Sequence, residues 1–176
     1  MMRALLHRFF VGLAMVGLAV PIAHAQFRDF DAKSLAQIRA ANAGRPFILA
    51  LWSIHCEPCR HEMSQWGPLR RRYPGIPIVL VATDLSGERP LLEEFLSRHD
   101  LAGIQSWAFA DEFEARVRYS IDPKWRGELP RTYLFDADHR AEGRSGPADL
   151  AWVVPWIERQ AKPARRSGSA GRHLPV

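Results

Sequence analysis

Residues Phe47-Ile48-Leu49-Ala50-Leu51-Trp52 form an unbroken apolar run opened by Pro46, which predicts a strand covered on both faces. Downstream, Met63, Trp66, Leu69 and Tyr73 recur at steps of three and four, as in a helix packed on that strand's sheet. Arg70, Arg71 and Arg72 fall in its last turn, where the helix dipole favours cations, and Gly67-Pro68 predicts a kink or interruption. Residues 77–81 read as a second apolar strand, parallel to the first because a crossover helix joins them. Upstream, residues 31–43 place Leu35 and Ile38 on one helical face and stop at Gly44. A helix over 89–99, a strand over 106–109 and a short helix over 112–119 follow. The pattern then changes, with residues 131–135 and 140–144 flanking Asp136-Ala137-Asp138-His139, a hairpin whose turn residues tolerate positive φ. A last amphipathic helix over 148–161 carries Leu150, Val153, Val154 and Ile157. These βα units, a closing hairpin and a helix predict an α/β layer fold with a mixed sheet.

The 176 residues are 47% hydrophobic and 24% charged with two cysteines, which excludes full disorder, collagen-like repeats and a disulfide-dense miniprotein. Residues 1–25 read as a secretory signal peptide: Arg3 and Arg8 precede an apolar run, and Ala23-His24-Ala25 fits cleavage before Gln26. The run is shorter than the roughly 20 residues that span a bilayer, so an uncleaved membrane anchor is the weaker reading. Export leads to an oxidising compartment, most simply a bacterial periplasm. The remainder divides into one domain over 26–162 and a tail over 163–176 that lacks periodicity and is expected to be disordered. The formal charge of +5 belongs to the two ends, because residues 26–162 balance 19 Lys/Arg against 19 Asp/Glu. A balanced domain offers no basic face for a phosphate backbone, so nucleic acid is not an expected partner.

Both cysteines lie in Cys56-Glu57-Pro58-Cys59, between the buried strand and the amphipathic helix. A helix N-terminus presents unpaired N–H groups and partial positive charge, which stabilise a thiolate on Cys56. The thiolate is the attacking form, and a lowered pKa also makes the sulfur a better leaving group. Two other uses compete. A structural disulfide closing a four-residue loop is worth only roughly 2 kcal/mol on chain-entropy arithmetic. A copper or zinc site would recruit Cys56, Cys59, His55 and His61, with no second cysteine pair elsewhere. His55 and His61 also read as ordinary surface residues, although a charged His55 would favour the Cys56 thiolate.

The segment from Trp52 through Cys56 and Cys59 to Glu62 and Met63, followed by Val79-Leu80-Val81-Ala82-Thr83-Asp84 and by Leu129-Pro130-Arg131-Thr132-Tyr133-Leu134-Phe135-Asp136, resembles the exported TlpA/ResA-like thioredoxin family. The resemblance implies a thioredoxin-like fold, a central mixed β-sheet flanked by helices on both faces. It also implies thiol-disulfide exchange in which Cys56 attacks a partner disulfide and Cys59 resolves the mixed disulfide. Pro130 matches the family's cis-proline, which exposes the preceding backbone to a bound partner. Glu62 matches an acidic residue that manages protons near the cysteines. Trp52, Glu57, Pro58 and Leu129 are then expected to meet the partner. Ala50 stands where cytoplasmic thioredoxins carry a buried acid, which leaves Glu62 or water as proton acceptor. Arg131 replaces a small polar residue, and Asp122-Pro123-Lys124-Trp125-Arg126 lengthens the approach to Pro130. Trp125 reads either as a partner-recognition residue or as an anchored loop residue, aromatics and Arg being enriched at interface hot spots.

The expected protein is thus a periplasmic reductase of disulfides in exported proteins, with apocytochrome c maturation as the family role. It would work as a monomer, with no cofactor beyond its redox-active disulfide and with a membrane-bound thiol electron donor. A disulfide oxidase or isomerase, or a copper-delivery protein on the same fold, are the alternatives.

Overall fold

The computed structural model describes residues 27–110 and 113–161. The expected signal peptide and basic tail lie outside the described residues. In chain order the elements are β1 (Arg28–Phe30), α1 (Ser34–Ala41), β2 (Phe47–Trp52), α2 (Glu57–Arg72), β3 (Ile78–Leu85), a 3-10 turn (Ser86–Glu88), α3 (Arg89–Arg98), β4 (Gln105–Phe109), α4 (Glu114–Ile121), β5 (Arg131–Phe135), β6 (Ala141–Ser145) and α5 (Leu150–Ala161). The strands form one sheet in the order β1-β4-β3-β2-β5-β6. β1, β4, β3 and β2 run parallel, and β5 and β6 pair antiparallel to the edge they extend. The mixed sheet predicted from the pattern is therefore present.

Every residue of β2 is buried, because alternate side chains feed two separate cores. Ile48, Ala50 and Trp52 face α2, α3 and α5 through Met63, Trp66, Leu96 and Trp156. Phe47, Leu49 and Leu51 face α1 and α4 through Leu35, Ile38 and Val117. This gives a sheet with helices on both faces. Burying Phe47, Ile48, Leu49 and Leu51 at about 1.5–3 kcal/mol each, with Trp52 beside them, fixes the central strand, and with it the end from which the cysteine segment departs.

Two features differ from the sequence reading. β1 was not expected, and it forms because Arg28–Phe30 pairs in parallel with Trp107–Phe109 while Phe30 enters the core. α2 runs without a break through Gly67-Pro68. Met63, Trp66 and Leu69 are buried on either side of the proline, so packing outweighs the roughly 3 kcal/mol that an interior proline costs. The hairpin turn behaves as read, with His139 at φ 59°.

Candidate active site

β2 ends at Trp52 and the chain turns through residues 53–56 into α2. Cys56 is the N-cap of that helix, with extended backbone angles, and its Sγ accepts the Cys59 N–H at 3.2 Å. Glu57 supplies the acidic residue of the first turn, and Pro58 sits within it, where a missing N–H costs nothing. The two sulfurs are joined in a disulfide, with Cα atoms 5.2 Å apart. They are unequal: Cys59 is fully buried against the α2-side core, whereas Cys56 is half-buried at its edge. Of the two sulfur-bearing residues, Cys56 is thus the one that solvent reaches.

Cross-strand register brings the second part of the site. Leu51 pairs with Arg131, so the next step places Pro130 beside the end of β2, where the cysteine turn begins. The Leu129–Pro130 peptide bond is cis. Pro130 is buried, and its carbonyl accepts the Gly146 N–H at 2.8 Å. Leu129 is half-buried and touches both cores.

Glu62 lies one helical turn after Cys59 on the same face, only 2% exposed. Its Oε1 accepts from Thr132 Oγ1 at 3.5 Å, and Thr132 is the cross-strand partner of Ala50. Its Oε2 is buried with no hydrogen-bond partner. Burial dominates and pushes the Glu62 pKa up to about 7, against smaller opposing pulls from the Ala148 backbone, Thr132 and Trp66. A carboxyl of this kind changes protonation state near neutral pH.

The structure turns one expected partner residue inward and selects between the two readings of another. Trp52, expected to meet a partner, is 1% exposed and stacks on Phe95 at 5.4 Å, so it supports the sheet beneath the cysteines instead. Trp125 is 5% exposed, packs into the α1-side core and donates its indole N–H to the Glu128 carbonyl at 2.9 Å. It anchors the loop rather than presenting itself to a partner. The anchoring extends along the segment: Asp122 Oδ2 accepts from Arg131 Nη2 at 3.0 Å and from the Tyr133 hydroxyl at 3.1 Å. Arg131 is therefore the loop's tether to β5. Glu57 and Pro58 are exposed, as partner contact requires.

The sequence reading also assigned no role to Ser53, Asp84 or Glu88. Asp84 is buried at the end of β3, where it accepts the Ser53 hydroxyl at 2.8 Å and the Ile54 N–H at 3.2 Å. The His55 Nε2 stands 2.7 Å from Glu88 Oε1 and 3.9 Å from Asp84 Oδ1. Ligating atoms of these three residues lie within 4.8 Å of one another, the one such cluster among the described residues. The set of Cys56, Cys59, His55 and His61 considered for copper is not brought together. In the three-residue cluster, both Asp84 oxygens and the His55–Glu88 contact are already taken up within the protein.

The fold matches a known architecture. A secreted disulfide oxidoreductase of Mycobacterium tuberculosis, homologous to E. coli DsbE, superposes with a TM-score of 0.55 at 17% identity, covering 68% of this chain and 85% of that one. A thiol:disulfide interchange protein of the thioredoxin family from Chlorobium tepidum gives 0.57 at 17% identity, over 69% and 83% of the two chains. The fold is thioredoxin-like. Among curated proteins, the thiol-disulfide oxidoreductase ResA of Oceanobacillus iheyensis is 25% identical over 101 residues, 56% of this chain and 48% of that protein. The chain thus spans about half the length of this relative. No protein-family model matches the chain. These likenesses bear out the TlpA/ResA-like resemblance read from the cysteine segment.

Proposed function

We propose that this protein is an exported thiol-disulfide oxidoreductase that reduces disulfides in other exported proteins, acting as a monomer in the periplasm. The observation that carries the reading is the inequality of the two sulfurs, one open at a helix N-cap and one sealed behind it. In the reduced protein the Cys56 thiolate attacks a partner disulfide, forming a mixed disulfide and releasing one partner thiolate. The Cys59 thiol passes its proton to the Glu62 carboxylate and attacks Cys56 Sγ, releasing the second partner thiolate. Two electrons have then moved to the partner, and the protein is left with the Cys56–Cys59 disulfide. Both electrons come from the sulfurs, so the exchange calls on no further cofactor.

The N-cap position and the first-turn N–H groups support a stabilised Cys56 thiolate. The backbone before Pro130, with exposed Glu57 and Pro58, supplies the surface on which an extended partner segment docks. An oxidising compartment would leave the pair oxidised, so a reductive role requires a membrane-bound thiol donor to restore it. Among the described residues no helix is long and apolar enough to cross a membrane. Apocytochrome c is the partner class that the family resemblance suggests.

An insulin-reduction assay with dithiothreitol tests the chemistry. Cys56→Ser is expected to abolish turnover, and Cys59→Ser to accumulate a mixed disulfide visible on non-reducing gels. Unimpaired turnover by Cys56→Ser would overturn the reading. An equilibrium potential against glutathione fixes the direction, and a strongly oxidising value would assign the protein to disulfide formation instead.

A further inference from the structure

The turn that presents Cys56 is held by a carboxylate from another strand. Asp84 accepts from Ser53 Oγ and from the Ile54 N–H, Ser53 Oγ accepts the His55 N–H at 3.0 Å, and the Ser53 carbonyl accepts the Cys56 N–H at 3.2 Å. Four consecutive residues, 53–56, are thereby tied directly or in one step to a single buried side chain. Arg60 closes the other side by donating from Nη1 to the Ile54 carbonyl at 2.8 Å.

Charges surround the same turn. Asp84 from β3 and Glu88 from the 3-10 turn are acidic, His55 lies against both, and Arg60 of α2 is the remaining charged group that acts on the imidazole. The hydrogen bond and charge of Glu88 raise the His55 pKa, with Asp84 adding to them and Arg60 opposing. Burial raises the Asp84 pKa, against the bonds from Ser53 and Ile54.

We infer that Asp84 is a positioning residue of the redox centre: it holds the 53–56 turn that presents Cys56 and, with Glu88 and His55, sets how readily that sulfur ionises. The inference rests on the exchange reaction proposed above. Ionised Asp84 and Glu88 oppose a thiolate on Cys56. A protonated His55 offsets them, and the offset vanishes when His55 loses its proton. The sulfur is thus made more reactive in acid than two carboxylates alone would leave it.

The test is the rate of iodoacetamide alkylation of the reduced protein across pH 5–10, with mass spectrometry to confirm Cys56 as the site. Asp84→Asn is expected to lower the Cys56 midpoint by roughly half a unit to one unit, about a three- to tenfold change in the thiolate equilibrium. His55→Gln, at the surface, is expected to slow alkylation about threefold at pH 6 and to leave it unchanged at pH 9. Opposite signs are what turn damage does not give, since a disordered turn moves every variant toward an unperturbed thiol. If Asp84→Asn fails to fold, judged by near-ultraviolet circular dichroism, Glu88→Gln measured above the His55 midpoint is expected to shift Cys56 downward in its place. Folded variants that shift in the same direction, or not at all, would overturn the inference. Alkylation reads the sulfur without a partner, so loss of insulin reduction with these shifts intact would count against the proposed reductase and not against Asp84.

Discussion

Replacing Glu62 with Gln removes a buried ionisable group whose cost is worked from its environment. The carboxyl is 2% exposed, with one oxygen unpartnered, and titrates at about 7 instead of 4.5. A difference of about 2.5 units at 1.36 kcal/mol per unit amounts to about 3 kcal/mol. The sign follows from proton binding. Between pH 4.5 and 7 the folded protein holds a proton that the unfolded chain has released, so wild-type stability falls as pH rises through that window and then levels off. Glu62→Gln lacks this loss. Relative to wild type, the oxidised variant should gain about 3 kcal/mol between pH 4 and pH 8, whatever constant offset the amide introduces. Urea unfolding of both oxidised proteins at pH 4, 5.5, 7 and 8 measures the gap, and subtraction cancels the titration of other groups. A difference, variant minus wild type, that stays constant to within about 0.5 kcal/mol or that falls as pH rises would refute a carboxyl titrating near neutrality. The same substitution should slow resolution of the mixed disulfide above pH 7, where the wild-type carboxylate is free to take the Cys59 proton.

Two further predictions concern the frame of the site. Gly143 pairs across the hairpin with Tyr133, and a Cβ there would stand 2.6 Å from a Tyr133 ring carbon. Because Asp122 holds the Tyr133 hydroxyl, Gly143→Ala should cost about 1–3 kcal/mol, read as a lower urea midpoint at unchanged slope. Trp125→Phe keeps most of the packing and loses the indole bond to Glu128, for a cost of about 1 kcal/mol, whereas Trp125→Ala should cost about 3–5 kcal/mol. If Trp125→Ala instead left stability untouched and raised only the insulin KM, its role would be recognition rather than anchoring.

Much of the fold was legible because it is written in local periodicity. β2 and β5 match their expected spans, and α2 shows its 3.6-residue face even across Pro68. β1 was not legible: three residues with one buried side chain carry no period, and only pairing with β4, almost eighty positions on, makes them a strand. The placement of Trp52, and the choice between the two readings of Trp125, were not legible for a related reason. Residue type marks Trp52 and Trp125 as large and amphipathic, but the Phe95 ring and the Glu128 carbonyl, reached only in three dimensions, decide that both turn inward.

What the sequence by itself determined is the strand–CxxC–helix junction, hence a cysteine at a helix N-terminus, because strand and helix periods and the end of a helix are properties of neighbouring residues. Tertiary structure alone decided which sulfur is open, why Glu62 keeps its proton to near neutrality and that Asp84 holds the turn. Those outcomes depend on loss of water and on partners far along the chain, Thr132 lying 70 positions from Glu62 and Asp84 31 from Ser53, distances over which no local pattern carries information.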